Sequence, residues 1–465
     1  MRDNAGVNAV QQNAGAQGPF DVIVIGAGVS GLAAARLLAS TGRRVAVIEA
    51  RDRVGGRLHT EREGGRVTDM GGSWIHGIAD SKVHAAAEAF GMPMVEFTVG
   101  SYQAGGRPIA YYGVDGARLG DDEARAFIAD VAAFDERLGQ TVAAAPPATS
   151  YEAAVDATLA GLDWAVDRTA RVREFARHRS EEQYGTDARR LDAHGLDDDA
   201  IEGDEVVFPD GYDRLPQHFA EGLDVRLEHE VARVRWSASG VIVSTDRGDF
   251  AAACAIVTVP VGVLRSGGIV FDPPLPEPVA GALDRLEMNA FEKVFLRFPE
   301  KFWADGVYAL RRQGPAGEWW HSWYDLTPLH GTPTLLTFAA GDCARETRDW
   351  SDERITASVM DALRELYGDG IPSPEQVHIT RWQDDPFSLG SYAYMTVGSR
   401  PEDHELLATP LADAGGGPAV LHLAGEATWQ DDPATVTAAL LSGHRAAERV
   451  VGETLPIERL WAPAP

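Results

Sequence analysis

Residues 21–38 read DVIVIGAGVSGLAAARLL and carry the clearest fold signal in the chain. An apolar strand at residues 20–25 leads into Gly26, Gly28 and Gly31 in G-x-G-x-x-G spacing, and an Ala- and Leu-rich helix follows. Such glycines permit a tight turn, close approach of the backbone to a pyrophosphate, and close packing of the helix, whose N-terminus faces the phosphate charge. The stretch therefore predicts the phosphate-binding turn of a dinucleotide-binding fold.

A second strand, RVAVIEA, completes a strand-turn-helix-strand unit. Glu49 ends this strand, where an acidic residue accepts hydrogen bonds from an adenosine ribose; a surface glutamate is the alternative. Arg51, Gly55, Gly56 and Arg57 follow in RDRVGGR, so a second glycine and arginine cluster can reach the same pyrophosphate. This double cradle suits a long, permanently held dinucleotide and favours FAD over NAD.

Further along, the segment DMGGSWIHG brings more glycine close to the expected cofactor. Gly71, Gly72 and Ser73 stand where the backbone can pass close to a flat ring.

The acidic balance of the chain argues against several partners. The net charge is −28 and the pI is near 4.8, which disfavours nucleic acid and anionic membranes and would attract cationic small molecules. The alternative is that the acidic surface charge only keeps the protein soluble. No uncharged apolar run approaches the ~20 residues that cross a bilayer, and the first residues lack a signal-peptide pattern. We expect a cytoplasmic protein that binds neither nucleic acid nor membrane.

Cysteine and histidine usage points away from thiol and metal chemistry. Cys254 and Cys343 can form at most one bridge, and Cys254, in the apolar run AAACAIVTV, is expected to be a free buried thiol. The 13 histidines include no pair with convincing metal-ligand spacing, so we predict no metal. Lys82, Lys293 and Lys301 are the only lysines in a chain rich in arginine. At each of these positions, lysine is therefore expected to supply a property that arginine lacks.

The other segments predict a first domain assembled from separated stretches and a second domain beside it. Residues 81 to about 196 read as a helical insertion, residues 193–205 as an acidic surface loop, and strand patterns return at DVRLEHEVARVRW, GVIVSTD, CAIVTVP, AFEKVFLRF, WWHSWYDL and TLLTFAAG. We predict an α/β and α+β fold, with a Rossmann-like FAD-binding domain built from discontinuous segments and a mixed sheet-plus-helix substrate domain. The predicted boundaries are 1–18 for a disordered tail, 19–80, 206–270 and 418–455 for the FAD-binding domain, and 81–205 and 271–417 for the substrate-binding domain.

Six landmarks give the chain a family resemblance. In order they are IGAGVSGLAAARLL, EARDRVGGR, DMGGSWIHG, FEKVFLRF, GSYAYM and AGEATWQDDPATVTAALLSGHRAA. Together they resemble the flavin-containing amine oxidase family, which includes monoamine oxidases, polyamine oxidases and lysine-specific histone demethylases. The resemblance implies that hydride passes from the carbon beside an amine nitrogen to flavin N5, giving an imine, and that oxygen is reduced to hydrogen peroxide.

The resemblance also implies specific cofactor contacts. Val231 would contact the adenine, Glu426 the ribityl or phosphate portion, and the helix opening near Thr435 and Val436 would point its positive end at the flavin pyrimidine. SLGSYAYM has no cysteine where monoamine oxidases attach FAD, so non-covalent FAD is expected. The predicted cofactor residues are Gly26, Gly28, Ser30, Gly31, Glu49, Arg51, Gly55, Gly56, Arg57, Gly71, Gly72, Ser73, Trp74, Val231, Gly425, Glu426, Thr435 and Val436.

Lys293, in FEKVFLRF, is the first predicted catalytic residue. It shares a strand face with Phe291 and Phe295, so its amine lies in an apolar place if that face points inward. The family has a lysine at this landmark, linked through water to flavin N5. An outward-facing strand lysine is the alternative.

The predicted substrate site departs from the family pattern. Trp382 fits one position of the family's aromatic cage, with Tyr392 and Tyr394 nearby, although core packing is the alternative for the tyrosines. Relatives often carry an aromatic residue where this chain has Asp432 or Thr435. The usual cage is therefore incomplete here, and whether Trp429 compensates is left open.

Two further polar residues are candidates for substrate contact. Asp432 either faces the pocket and pairs with a substrate ammonium or caps the following helix. His76, in SWIHG, either faces substrate or is an ordinary buried histidine. The predicted catalytic set is thus Lys293, Trp382, Tyr394, Asp432 and His76, with an amine and molecular oxygen as partners and a homodimer left open.

Three competing functions stay open at this point. An L-amino-acid oxidase would need a cation for the carboxylate, for which Arg312, Arg345 and Arg381 are candidates. An FAD-dependent desaturase would act on large apolar substrates, and an acidic chain is poorly suited to anionic membranes. A non-catalytic flavin-binding module is the alternative from another class.

Overall fold

A computed structural model describes residues 20–98, 108–196, 202–413 and 416–462. The predicted tail at 1–18 and residues 197–201 of the acidic loop lie outside the described residues. The strands are β1 (Phe20–Ile25), β2 (Val45–Ile48), β3 (Thr60–Glu63), β4 (Arg66–Asp69), β5 (Trp74–Ile75), β6 (Val95–Glu96), β7 (Ile109–Tyr112), β8 (Val206–Val207), β9 (Asp224–Arg226), β10 (Val231–Ser237), β11 (Gly240–Thr245), β12 (Gly248–Val257), β13 (Val270–Asp272), β14 (Leu286–Met288), β15 (Phe291–Arg297), β16 (Ala309–Arg312), β17 (Ser322–Asp325), β18 (Thr334–Ala340), β19 (Gln376–Ile379), β20 (Ala393–Met395) and β21 (Leu421–Leu423).

Helices connect these strands and cover the sheets. They are α1 (Val29–Ser40), α2 (Lys82–Ala89), α3 (Asp121–Ala144), α4 (Tyr151–Ala160), α5 (Val166–Tyr184), α6 (Arg214–Ala220), α7 (Val261–Ser266), α8 (Glu277–Asp284), α9 (Thr327–His330), α10 (Asp342–Thr347), α11 (Asp352–Tyr367), α12 (Glu402–Leu407) and α13 (Val436–Val451). Short 3-10 helices lie at Ala193–Gly195, Pro315–Gly317, Glu426–Thr428 and Ile457–Leu460.

The largest sheet carries the glycine turn at the carboxyl end of β1. Its order is β13-β10-β11-β12-β1-β2-β9, and β21 pairs with the second half of β12. β1 runs parallel to β2 and β12, whereas β11 is antiparallel to both of its neighbours. Three separated stretches of the chain thus build one sheet, and the predicted fold class is confirmed.

Close packing of two helices fixes the region above this sheet. α1 lies against α13, and a Cβ at Gly443 of α13 would come within 2.1 Å of the Ser30 carbonyl oxygen of α1. The Ser30 and Ser442 hydroxyls are 3.1 Å apart across the same contact. The absence of a side chain at Gly443 therefore lets the middle of α13 approach the first turn of α1, next to the glycine turn.

A second sheet has the order β19-β15-β18-β17-β16-β7. Neighbouring strands are antiparallel except for the parallel pair β16 and β7. β15 is an interior strand, with Lys293 opposite Phe338 of β18. This register places the lysine in the middle of a sheet and away from its edge.

The segment predicted to be a helical insertion also contains strands. β7 lies within it and joins the second sheet through β16, about two hundred residues further along the chain. The helical pattern of the segment is also interrupted, because α4 ends at Ala160 and α5 begins at Val166. Both differences arise because pairing with distant strands and the break at Gly161 override local helical pattern. The domain boundaries stay a prediction.

Within the described ranges, no helix has both the length and the apolar character needed to cross a bilayer.

Candidate active site

A cleft of about 260 Å³ opens where β1 and β2 end. Gly26 has φ +104°, which a side chain would strain, and a Cβ at Gly31 would lie 2.0 Å from the Gly26 carbonyl oxygen. Gly28 differs, because its φ is −75° and a Cβ there would meet nothing within 4 Å. Gly26 and Gly31 are therefore required by the fold, whereas Gly28 leaves room for a ligand at the N-terminus of α1.

Glu49 lies in this cleft with a fixed orientation. Its Oε2 accepts a 2.7 Å hydrogen bond from the Ala27 N–H, and its Oε1 accepts one of 2.9 Å from the Arg51 N–H. The residue is 6% exposed, so the alternative of a surface glutamate is wrong. Two backbone donors hold the carboxylate at the end of β2, the position from which it can accept ribose hydroxyls.

Arg57 and Glu426 form the opposite part of the cleft. Arg57 Nη1 donates to Glu426 Oε1 and to the Ser391 carbonyl oxygen, at 2.9 Å each. Glu426 Oε2 is buried, and no described residue offers it a hydrogen bond. A buried acceptor of this kind usually has a partner. This acceptor and the open face of Gly28 fit a ligand that carries hydroxyls and a pyrophosphate, as FAD does.

Most of the predicted cofactor residues line this cleft. Gly71, Ser73 and Trp74 line only the adjoining larger cavity, and Gly31 lines neither space. The predicted residues in the cleft are Gly26, Gly28, Ser30, Glu49, Arg51, Gly55, Gly56, Arg57, Gly72, Val231, Gly425, Glu426, Thr435 and Val436.

A larger cavity of about 350 Å³ adjoins the cleft. It is lined by all five predicted catalytic residues, Lys293, Trp382, Tyr394, Asp432 and His76. The residues that line both spaces are Arg57, Gly72, Ser391, Tyr392, Ala434, Thr435 and Val436. A flat group held at this junction would face the larger cavity directly.

Lys293 is 7% exposed and reaches the cavity wall, so the outward-facing alternative is wrong. Its Nζ donates to the Gly71 carbonyl oxygen and the Ser73 Oγ at 2.5 Å each, and to the Asp69 carbonyl oxygen at 3.1 Å. It also lies 5.8 Å from the centroid of the Phe295 ring. Burial lowers the pKa of Lys293 to about 8, although the nearby Asp69 charge opposes the shift.

Asp69 is the charged partner of this lysine. Its Oδ1 accepts hydrogen bonds from Thr60 Oγ1 at 2.5 Å and from the Tyr212 N–H at 3.1 Å. Burial raises the pKa of Asp69 to about 6, and these hydrogen bonds and Lys293 act in the opposite direction. Burial therefore shifts the pKa values of both groups toward neutrality.

Trp382 is held in the cavity wall at both ends. Its indole N–H donates to the Met70 carbonyl oxygen at 3.0 Å, and its backbone N–H donates to Glu292 Oε2 at 2.9 Å. Glu292 also accepts from the Gln383 N–H at 2.9 Å and from Thr380 Oγ1 at 2.5 Å. Glu292 was not among the predicted site residues, and its position beside Lys293 in FEKVF was the only available signal.

An arc of aromatic rings forms one wall of the cavity. Successive ring centroids are 6.2 Å apart for Trp74 and Tyr324, 5.4 Å for Tyr324 and Phe338, 4.7 Å for Phe338 and Phe291, and 5.7 Å for Phe291 and Tyr392. Tyr324 and Phe338 were missed because β17 and β18 have the sequence pattern of buried core strands. The cavity is thus rich in rings despite the departures from the family pattern.

Two other aromatic candidates contribute less to this wall. The Tyr394 hydroxyl donates to Glu287 Oε2 at 2.8 Å, which directs it toward the Glu287–Arg190 ion pair. Trp429 packs beneath the Arg445 guanidinium at 4.8 Å and does not line the cavity. Trp429 therefore does not compensate for the missing cage residue.

Carboxylate side chains line another part of the cavity. Asp432 lines the cavity, and its Oδ2 accepts from Thr435 Oγ1 at 3.0 Å. Thr435 Oγ1 in turn accepts from the Ala438 N–H, so Thr435 caps α13 and the helix-cap alternative for Asp432 is wrong. Glu182 and Glu205 also line the cavity and were not predicted.

His76 stands in the cavity wall beside one of these carboxylates. Its Nδ1 is 2.5 Å from Glu205 Oε1, and its side chain is half exposed. The alternative of an ordinary buried histidine is therefore wrong. Glu205 itself is almost fully buried, so the pair presents histidine on the open side and carboxylate behind it.

The arginines proposed for an amino-acid carboxylate lie elsewhere. Arg312 pairs with Glu365 at 2.7 Å, and none of Arg312, Arg345 and Arg381 lines the cavity. In the described part of the chain, the arginine that lines the cavity is Arg57, which already donates to Glu426.

Away from the cavity, the structure brings together a histidine group that the sequence did not indicate. Ligating atoms of His178, Glu181 and His321 lie within 4.8 Å of one another. The two imidazole rings stack at 3.7 Å with an interplanar angle of 1°. Because a nitrogen lone pair lies in its ring plane, one ion cannot lie in both of these parallel planes. The absence of a metal stays a prediction.

Comparison with known proteins agrees with this geometry. The chain belongs to the flavin-containing amine oxidoreductase family, whose model matches residues 29–451. It is 32% identical over 461 residues to a lysine-specific histone demethylase 1 homologue of Oryza sativa subsp. japonica, covering 93% of this chain and 52% of that protein. It is 33% identical over 395 residues to a probable polyamine oxidase 4 of Arabidopsis thaliana, covering 82% of this chain and 78% of that protein.

A solved structure has a similar fold. A putrescine oxidase bound to putrescine matches with a TM-score of 0.75 and 23% identity, covering 94% of this chain and 99% of that one. The chain therefore spans about half of the demethylase homologue and nearly all of the oxidase structure.

Proposed function

We propose that the protein is a flavin-dependent oxidase of amines that holds FAD non-covalently in the cleft. The observation that carries this proposal is the junction where Arg57, Gly72 and Ala434 to Val436 line both the cleft and the cavity. FAD bound there would supply an acceptor for two electrons that can afterwards react with oxygen. Family membership and the fit of Gly28 and Glu426 support the same cofactor.

The residues of this chain would orient the amine and manage its protons. The aromatic arc would limit the access of water and favour a neutral reacting amine next to the junction. Lys293 holds a proton that it can exchange, because its pKa lies near 8 and its hydrogen bonds to Gly71 and Ser73 fix its position. We propose that it positions a water molecule and assists proton movement at the junction.

We propose that the preferred substrate carries a second positive charge. Asp432, Glu205 and Glu182 place carboxylates around the cavity, and the net charge of −28 attracts cations at long range. A diamine or polyamine fits this distribution, and related proteins are named for polyamines and putrescine. An amino acid fits it less well because its carboxylate would meet these acidic groups. A large apolar desaturase substrate would bring apolar surface against the same carboxylates, which is unfavourable.

The cofactor proposal has a simple test. Purified protein should be yellow and should release intact FAD on acid or heat denaturation. Colour that stays with the precipitated polypeptide would show covalent attachment and contradict the proposal.

The reaction is tested by following peroxide formation with diamines, monoamines of equal carbon number, and L-amino acids. We expect one peroxide per amine oxidised, with the highest kcat/KM for a diamine. Peroxide formed only with L-amino acids would contradict the amine-oxidase proposal.

We propose four further properties from the sequence alone. They are oxygen as the acceptor, a cytoplasmic location, a homodimer, and the two-domain boundaries given above.

A further inference from the structure

The segment at residues 382–392 contributes to both spaces of the active site. Trp382 lines the cavity, Pro386, Phe387 and Ser388 line the cleft, and Tyr392 lines both. The cleft-lining residues 386–388 lie between Trp382, which lines only the cavity, and Tyr392.

An ion pair fixes this segment to the end of β2. Arg51 Nη1 donates to Asp385 Oδ2 at 2.7 Å, and Arg51 Nη2 donates to Asp385 Oδ1 at 2.6 Å and to Ser388 Oγ at 3.1 Å. The guanidinium also lies 5.4 Å from the centroid of the Phe387 ring. Bidentate pairs between arginine and carboxylate are among the stronger polar contacts in proteins.

The environment of the pair strengthens it. The side chains of Arg51 and Asp385 are only 12% and 21% exposed, so salt and water screen them weakly. Arg51 also helps to hold the pKa of Asp385 below its usual range, against the effect of burial.

Arg51 and Phe387 form part of the wall at the end of the cleft near Glu49 and Val231, the adenosine end, where the adenosine of FAD would lie. Both line the cleft, together with Glu49 and Val231, and both also line a shallow outer groove of about 440 Å³. Ala50 and Glu230 also line both spaces, so four residues in all separate the cleft from the outer groove. A ligand leaving by that route would have to displace them.

We propose that Asp385 is a positioning residue for the cofactor: paired with Arg51, it keeps residues 385–388 against the adenosine end of the cleft and slows the release of FAD. This inference rests on the proposed binding of FAD. It also changes the role predicted for Arg51, which was direct contact with the cofactor. Its guanidinium donates to Asp385 and Ser388, so Arg51 would affect FAD binding through these two residues.

The neighbouring residue supplies a matched control. Asp384 accepts a 2.7 Å hydrogen bond from Arg348 Nε on the outside of the same segment, and the side chains of both residues are about half exposed. Asp384→Asn thus removes a carboxylate one residue away without touching the cleft. Asp385→Asn keeps an oxygen that can accept from the Phe387 N–H, as Asp385 Oδ1 does at 2.9 Å.

The test is the rate at which FAD leaves the FAD-replete protein after dilution, measured for wild type, Asp385→Asn, Arg51→Gln, the double variant and Asp384→Asn. We expect release roughly tenfold faster or more in both single variants, since a hydrogen-bonded charge pair contributes on this scale. The double variant should release FAD no faster than either single one, because both changes remove the same pair. Asp384→Asn should behave as wild type.

Two further readouts distinguish a specific effect of the Arg51–Asp385 pair on FAD release from a general structural role. The unfolding midpoint of the FAD-free protein and the turnover per bound FAD should be unchanged in Asp385→Asn. Wild-type release from FAD-replete Asp385→Asn and Arg51→Gln, or an equal acceleration in Asp384→Asn, would overturn this inference and leave the proposed function intact. A wild-type protein that binds no FAD would overturn the proposed function and this inference together.

Discussion

The cofactor cleft and the substrate cavity meet at one junction but differ in the kinds of residue that line them. The cleft is lined by several glycines, such as Gly26 with its positive φ and Gly28 with open space beside it, together with the polar side chains of Glu49, Arg57 and Glu426. The cavity is formed by side chains, with the aromatic arc on one wall and carboxylates such as Asp432 on another. A glycine-rich cradle suits a ligand that never changes, whereas a side-chain wall can be adjusted to a substrate. Changes in the cleft should therefore alter how much flavin is bound, and changes in the cavity should alter turnover per flavin.

The largest effect is expected at Lys293. Lys293→Met keeps the length and apolar stem of the side chain, so folding and flavin content should survive. Because positioned proton-transfer groups contribute ~10² to 10⁴ in rate, either reduction by amine or reaction with oxygen should slow by roughly that factor. Stopped-flow absorbance would measure both half-reactions, with the exposed Lys82→Met as the control. Unchanged rates in both half-reactions would show that Lys293 has no catalytic role.

Gly28→Val tests the cleft side of the comparison. The backbone there has an ordinary φ and a Cβ would meet nothing within 4 Å, so the protein should fold while the side chain occupies the ligand's space. We expect FAD affinity to fall roughly 100-fold, as overpacking costs of up to about 3 kcal/mol imply. Equilibrium titration of the FAD-free protein would measure it, with Gly139→Val on exposed α3 as the control. Full occupancy in Gly28→Val would rule out a phosphate at this position.

Asp432→Asn tests the acidic wall. If Asp432 pairs with the distal ammonium, the KM for a diamine should rise roughly tenfold while the KM for a monoamine of equal carbon number changes little. Steady-state kinetics would give both values, and Asp431→Asn, at an exposed neighbouring carboxylate, should leave both unchanged. Equal increases for the two amines would remove Asp432 from substrate recognition.

The smallest predicted effect is a pH dependence. The pKa of Lys293 is lowered to about 8, so the lysine is charged below this pH and neutral above it. A positive charge in the cavity beside the junction would favour electron transfer from the flavin to oxygen, so reoxidation should slow severalfold as pH rises through about 8. Lys293→Met should show no such step when the two proteins are compared by stopped flow. A step of the same size in the variant would assign the titration to another group.

The cleft was largely predictable from sequence because its requirements are local. Glycines at set spacing and Glu49 at a strand end follow from the chemistry of one turn. The strand face of Lys293 was also predictable from period-two alternation, although only the structure shows that this face is buried.

Much of the cavity could not be predicted because its contacts join distant segments. Trp382 is held by Met70 and Glu292, and the carboxylate of Glu205 stands behind His76. None of these pairs has a spacing signal in the chain. The aromatic cage was judged incomplete from one landmark segment only. Tyr324, which adds a ring to the cavity wall, lies on a strand whose sequence resembles an ordinary core strand, so it was not predicted.

The most direct test of the proposed oxidation is anaerobic mixing of the flavin-replete protein with a straight-chain diamine. The proposed function predicts that the flavin absorbance bleaches in a single turnover and returns, with formation of peroxide, when oxygen is admitted. A flavin that stays oxidised with every diamine, polyamine and monoamine tested would contradict it and leave a flavin-binding module without turnover.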